Sequence, residues 1–160
     1  MLLGFDKPVT AITNPTANSR TGITAAVLAA GLDPAEAVLE FREPFGAAGG
    51  EAATEQLLAI PSAKRPTAVF CINDAIALGA LRTLARAGVS VPGEMAVIGY
   101  DDQAFARDLV VPLSSVHQPM RKLGETAADM LLLPPGAEPD HVLFKPELIV
   151  RKSSDPNASE

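Results

Sequence analysis

Asn73 and Asp101 are the two polar residues whose positions best suit a binding site. Each directly follows an apolar run, Asn73 after Ala68–Ile72 and Asp101 after Met95–Tyr100. Near-continuous apolar runs of this length read as strands buried on both faces of a parallel sheet. The residues that close them emerge at the carboxyl edge, where open α/β sheets take their ligands. An amide and a carboxylate converging there suit a small ligand rich in hydroxyls. The chemistry implied is therefore a binding cleft rather than a catalytic centre.

Catalytic patterns are weaker. Ser114, Ser115 and His117, with Asp101 or Asp102, supply the residue types of a hydrolase triad. The serines and the histidine share one short strand, however, and no G-x-S-x-G elbow occurs. Asp101-Asp102 after a strand could hold Mg²⁺ or accept a phosphoryl group, but no third acidic group or lysine is placed to complete such a site. The glycines of GAAGG fit neither a Walker loop nor a dinucleotide fingerprint. No His or Cys pair has metal-ligand spacing. No catalytic residue, metal or cofactor is expected.

These residues must be positioned by an alternation of strands and helices. Strands are expected at Val9–Thr13, Val38–Phe41, Ala68–Ile72, Met95–Tyr100, Ser114–Gln118, Val142–Lys145 and Leu148–Lys152. Helices are expected at Ser19–Ala30 (after a polar turn, Asn14–Ser19), Gly46–Ile60, Asp74–Ala87 and Met120–Leu133, the last opened by Pro119. Such an alternation gives a doubly wound parallel α/β sandwich. On Asp74–Ala87 the apolar residues sweep roughly 200° of arc, more than the stripe of about 100° that one sheet needs. Ile76 and Leu78 lie at the margins of that arc and point to a second cover, either a subunit partner or another helix of the same chain. Met120, Leu123, Ala127, Met130 and Leu131 form a single apolar stripe on the last helix, which must rest on something.

At 160 residues the chain has the length of one domain, and 48% hydrophobic residues with 20% charged is a globular composition. The formal charge of −6, from 13 basic and 19 acidic residues, argues against direct grip on nucleic acid, which needs clustered Lys and Arg. One cysteine, Cys71, excludes an intrachain disulfide and reads as a small buried hydrophobe. No uncharged stretch is longer than Thr21–Leu32, which is too short to span a bilayer, and MLLGFDKPV lacks the pattern of a secretory signal. A cytoplasmic location with no membrane contact is expected.

The string INDAIALGALRTLARAGVSVPGEMAVIGYDD closely resembles the effector-binding domain of the lactose/galactose-repressor (LacI/GalR) family of bacterial transcription regulators. The resemblance continues through PLSSVHQPMRKLGETAADMLL and VLFKPELIVRKSS, and upstream through LLGFDKPVTAITN, so it spans about Leu2 to Ser154. It implies a type I periplasmic-binding-protein-like fold, represented here by its C-terminal subdomain only. Residues 1–7 would be the junction from an N-terminal subdomain, 8–154 the effector-binding and dimerisation unit with 119–133 as a crossover helix, and 155–160 a tail. The helix at Met120–Leu133 belongs to the N-terminal subdomain in that family, so here it is expected to be exposed, swapped or packed in an oligomer.

By the same resemblance, Asn73 and Asp101 would hydrogen-bond the effector and Phe45 would stack on its ring. The family often carries an arginine at the position of Ser19, and Arg20, one place later, is its stand-in. Leu109 would join Ile76 and Leu78 at a dimer interface. The partners implied are a sugar or polyol effector, a second copy of the chain (or more), and DNA only through a helix-turn-helix domain outside this sequence. A sugar-binding protein of a transport system, which shares the two-lobed fold, is the alternative.

Overall fold

The computed structural model describes residues 2–5, 15–134 and 141–158. Within them lie β1 (Leu2–Phe5), α1 (Pro15–Ala29), α2 (Pro34–Ala37), β2 (Glu40–Glu43), α3 (Ala47–Leu58), β3 (Ala68–Cys71), α4 (Asp74–Arg86), β4 (Ala96–Asp101), β5 (Ser114–His117), α5 (Met120–Leu131) and β6 (Glu147–Ile149). The six strands form one sheet in the order β2-β1-β3-β4-β5-β6. All pairings are parallel except β5 with β6. The fold is the expected α/β class with a parallel-dominated sheet. The strand order reverses between β1 and β3, which places the ligand-binding crevice of such sheets at this point on the carboxyl edge.

The unit β3–α4–β4 shows why local sequence sufficed there. Asn73 has an extended backbone and its side chain accepts from the Ile76 amide at 2.8 Å, capping α4. Gly88, at φ +70°, ends the helix: its amide bonds to Ala85 O at 3.1 Å and that of Val89 to Leu84 O at 3.0 Å. This is the paired closure that a left-handed glycine permits.

The surplus apolar arc of α4 is covered within the chain, by α3. Ile76 is 2% exposed and belongs to the core with Ala53, Leu57, Val69, Val97 and Leu84. Ile76 therefore has no surface to offer a dimer partner, a correction to the interface expected there. The backbones of the two helices meet closely because glycines line the contact. A Cβ on Gly50 would stand 2.0 Å from Ile76 O, and one on Gly79 would stand 1.9 Å from Ala47 O. Of the glycines that matched no phosphate motif, Gly50 serves this close approach, while Gly49 packs against the Pro44 backbone.

Several boundaries differ from expectation. Leu2–Phe5, read as a junction, forms a strand between β2 and β3. Val9–Thr13 lies outside the described residues. The stretch read as a polar turn is helical from Pro15 onward, because proline suits a first helical turn. The edge strand begins at Glu40 rather than Val38, after the short α2 capped by Asp33. Val142–Lys145 is not a strand, and β6 is only three residues long.

Register places Phe70 beside Ile98 and Tyr100 beside Val116 on one sheet face. These four residues are only half-buried, whereas Val69, Cys71 and Val97, which alternate with them, are buried. Helix α5 stands apart as expected. None of its residues is buried, and Met120, Leu123 and Leu131 of its apolar stripe are exposed. Among the described residues no helix is long and apolar enough to cross a membrane.

Candidate functional site at the carboxyl edge of the sheet

Strand β4 ends in two consecutive residues with left-handed backbones, Asp101 (φ +103°) and Asp102 (φ +50°). Non-glycine residues adopt such angles only where their surroundings enforce them. Here three sets of bonds do so. The Asp102 amide donates to Ser115 Oγ at 3.0 Å, and Ser115 Oγ donates to Asp74 Oδ1 at 2.6 Å. The Gln103 amide donates to Asp74 Oδ2 at 2.7 Å. The Asp102 carboxylate receives Arg151 Nη2 at 2.7 Å and stands 3.1 Å from His117 Nδ1. Asp101 and Asp102 are thus presented differently: Asp102 is tied down by charge, while Asp101 meets only neutral donors.

Asp101 Oδ1 accepts from Gln118 Nε2 at 2.8 Å. Partial burial pushes its carboxyl above the ordinary aspartate value, and the side chains of Gln118 and Gln103 pull back against that. Burial raises Asp74 too, opposed by its bonds from Ser115 and Gln103 and reinforced by the charges of Asp101 and Asp102. Beside Asp101 opens a cleft of ≈ 570 Å³, lined by Asp101, Asp102, His117, Gln118 and the first turn of α5, including Arg121 and Lys122. That volume is in the range of small-molecule sites.

The four residues expected at the effector fall apart into distinct situations. Asn73 stands two residues past the carboxyl end of β3, and Asp101 ends the neighbouring strand β4. Asn73 is buried, however, and its carbonyl oxygen is engaged in the α4 cap. Phe45 lies just beyond the carboxyl end of β2 and is 65% exposed. Arg20 does not join them. Its Nε donates to Glu40 Oε2 at 3.0 Å, at the opposite, amino end of β2. Glu40 is held below the usual carboxylate range by that bond.

Of the interface residues, Leu78 is half-buried, and so is Leu109, which packs against the core. The Ser115 hydroxyl is directed to Asp74 and the His117 Nδ1 to Asp102, so the two do not form a nucleophile–base pair. Ser114 Oγ donates to Arg151 O, 2.8 Å away, and lies 2.7 Å from Ser154 Oγ. Cys71 is buried, which pushes its thiol pKa upward. No group of three or more potential ligands for a metal ion converges among the described residues.

Sequence reasoning missed Asp74 and Arg151. Asp74 reads as an ordinary acidic residue in a helix's first turn. The one signal available was the glycine at position 99, since a Cβ there would stand 2.2 Å from Asp74 Oδ1. Arg151 lies in the C-terminal segment, and nothing near it in sequence announces its carboxylate partner.

A parallel sheet with reversed strand order and polar groups gathered at its carboxyl edge defines a ligand-binding α/β domain. Residues 3–154 match the family described as "Periplasmic binding protein-like domain", and the chain belongs to that family. The HTH-type transcriptional repressor PurR of Aliivibrio fischeri is 41% identical over 88 residues, 55% of this chain and 26% of that protein. A LacI-family regulatory protein from Chloroflexus aggregans superposes with a TM-score of 0.79 at 28% identity, covering 96% of this chain and 54% of the other. A LacI-family transcriptional regulator from Enterococcus faecium, solved with bound ribose, gives a TM-score of 0.82 at 27% identity, covering 98% and 56%. The chain is similar throughout to effector-binding domains of LacI-family regulators, and it spans only about half the length of these structures.

Proposed function

We propose that this chain is one lobe of the effector-binding module of a bacterial transcription regulator, and that its carboxyl edge takes a sugar or related polyol. The observation that carries this reading is Asp101. Its carboxylate borders an open cleft, is held by neutral donors only, and keeps acceptor capacity for ligand hydroxyls. Asn73, just past the end of the neighbouring strand, would contribute its amide, and Phe45 would offer an apolar face to the ligand's C–H groups. Arg20 takes part only if it leaves Glu40. In the whole regulator a second lobe would close over the ligand, and closure would be coupled to DNA binding through a separate domain. The net charge of −6 leaves phosphate contact to that other domain.

Leu78 and Leu109 would lie at a subunit interface, and the apolar stripe of α5 would be covered by the second lobe or by another copy of the chain. The test of the ligand assignment is a titration of isotope-labelled protein with D-ribose, D-glucose and sucrose, followed by amide NMR shifts. Saturable shifts clustered at Asn73, Asp101–Gln103 and Gln118 are expected, with weak affinity because one lobe supplies half of the contacts. No shift at these positions with any of the three sugars would overturn the sugar assignment. Sub-micromolar binding would instead overturn the half-site reading.

A further inference from the structure

Asp74 is fully buried, and among the described residues no cation is paired with it. A buried carboxylate without a positive partner carries a large desolvation cost. A neutral side chain would avoid that cost if the position only had to be filled. What the position demands is two acceptors. The Ser115 hydroxyl and the Gln103 amide, from two different segments, both point at it, and each finds its own oxygen at 2.6 and 2.7 Å. Asparagine at this site would bring one acceptor and one donor, and would leave one of those groups facing a donor. The sheet is also shaped for the carboxylate, since Gly99 leaves open the volume into which Oδ1 projects.

We propose that Asp74 is a positioning residue of the binding site, which fixes the left-handed turn Asp101–Gln103 and thereby the presentation of the Asp101 carboxylate. It acts on the turn at both sides. Oδ2 holds the Gln103 amide directly, and Oδ1 orients the Ser115 hydroxyl, whose oxygen in turn holds the Asp102 amide. Asp101 lies immediately before this doubly anchored pair, so its backbone angle follows from theirs. Asp74 itself makes no contact with the cleft. The device links α4, β5 and the β4 turn, whose members lie 29 and 41 residues from Asp74. A shift of α4 would therefore move Asp101, which is a route between the face of α4 bearing Leu78 and the cleft.

The relevance to ligand binding rests on the reading that Asp101 faces the effector, but the positioning itself can be tested without any ligand. Amide hydrogen exchange is measured on the full chain as wild type, Asp74→Asn and Ser115→Ala. Asp74→Asn is expected to speed exchange of the Gln103 amide, and both variants that of the Asp102 amide, by about tenfold or more. The amides of Val69 and Cys71 in the neighbouring strand should keep their wild-type rates. Unchanged exchange at Asp102 in both variants would overturn the proposal. So would an equal loss at Val69 and Cys71, since that would make Asp74 a general stabiliser of the sheet. If Asp74→Asn does not fold, Asp74→Ala, which removes both acceptors without adding a donor, decides through the Gln103 and Asp102 amides. A parallel titration with D-ribose keeps the two ideas apart: absent binding in wild type with local loss of protection in the variants would sink the sugar assignment and leave the positioning role standing.

Discussion

Arg151 and Asp102 are 49 residues apart in sequence, yet Arg151 Nη2 meets Asp102 Oδ1 at 2.7 Å where both side chains are largely buried. The pair fastens the C-terminal segment to the end of β4. The same guanidinium donates to Leu113 O at 2.7 Å, so the arginine also braces the entrance of β5. The last segment of the chain therefore supports the candidate site from behind.

Removing that brace should be costly. Arg151→Ala strands the Asp102 carboxylate with His117 as its remaining side-chain partner, and an uncompensated, largely buried charge is strongly destabilising. We expect a loss of about 2–4 kcal/mol in urea unfolding, together with disturbance of the amide resonances of Asp101 and Asp102. A loss below about 0.5 kcal/mol would place the pair with ordinary surface ion pairs.

The glycines of the α3–α4 contact can be weighed against a glycine that touches nothing. Gly79→Ala drives a methyl to 1.9 Å from Ala47 O and must push the helices apart, a loss of about 1–3 kcal/mol or more. Gly124→Ala, in α5, meets nothing within 4 Å and should raise helix stability by about 0.5–1 kcal/mol. Paired thermal melts and helical circular dichroism would check both signs at once.

Asp101 makes stability depend on pH in a definite direction. Burial raises its carboxyl above the ordinary value, so the folded state holds the proton more tightly than the unfolded chain. This contribution is largest below the unfolded aspartate value of about 3.9 and is lost as pH rises through the raised folded value. Asp101→Asn removes the charged form altogether, and its side-chain oxygen can still accept from Gln118. The variant should gain stability relative to wild type as pH rises through that window, and should lose affinity for the sugar. Denaturant midpoints at pH 3 and pH 7 measure the first effect; an unchanged difference between the two would refute it.

Helix α5 should behave as a surface without its cover. Its amides from Leu123 to Leu131 should exchange rapidly in a monomer, and Leu131→Gln should change unfolding free energy by less than about 0.5 kcal/mol. Light scattering after size exclusion at tens of micromolar would then report association through this stripe or through Leu78 and Leu109. Strong protection of α5 in a proven monomer would contradict the reading.

Local patterns made much of the fold legible before any coordinates. Asn73 and Gly88 bracket α4 because a cap and a left-handed glycine act within a few residues of themselves. The apolar runs of β3 and β4 announced a buried parallel sheet, and the place of Asp101 at its carboxyl edge followed from where β4 had to stop. The single stripe on α5 was equally plain, while the expectation that its cover lies elsewhere came only from the family resemblance. The strand at Leu2–Phe5, read as a junction, carried no such local signal, because it is a strand by virtue of its pairing with β2 and β3.

What the sequence by itself determined was therefore short-range: where helices start and stop, which edge of the sheet gathers polar groups, and which family the chain resembles. Only the tertiary structure decided how side chains distant in sequence share their bonds. It buried Ile76 under α3 instead of leaving it for a partner, committed Arg20 to Glu40, and brought Asp74, Ser115 and Gln103 to one point. The reason is physical. Capping and hydrophobic period are set by neighbours within one or two turns of chain, whereas a buried polar group must find its partner wherever packing brings one within hydrogen-bond reach.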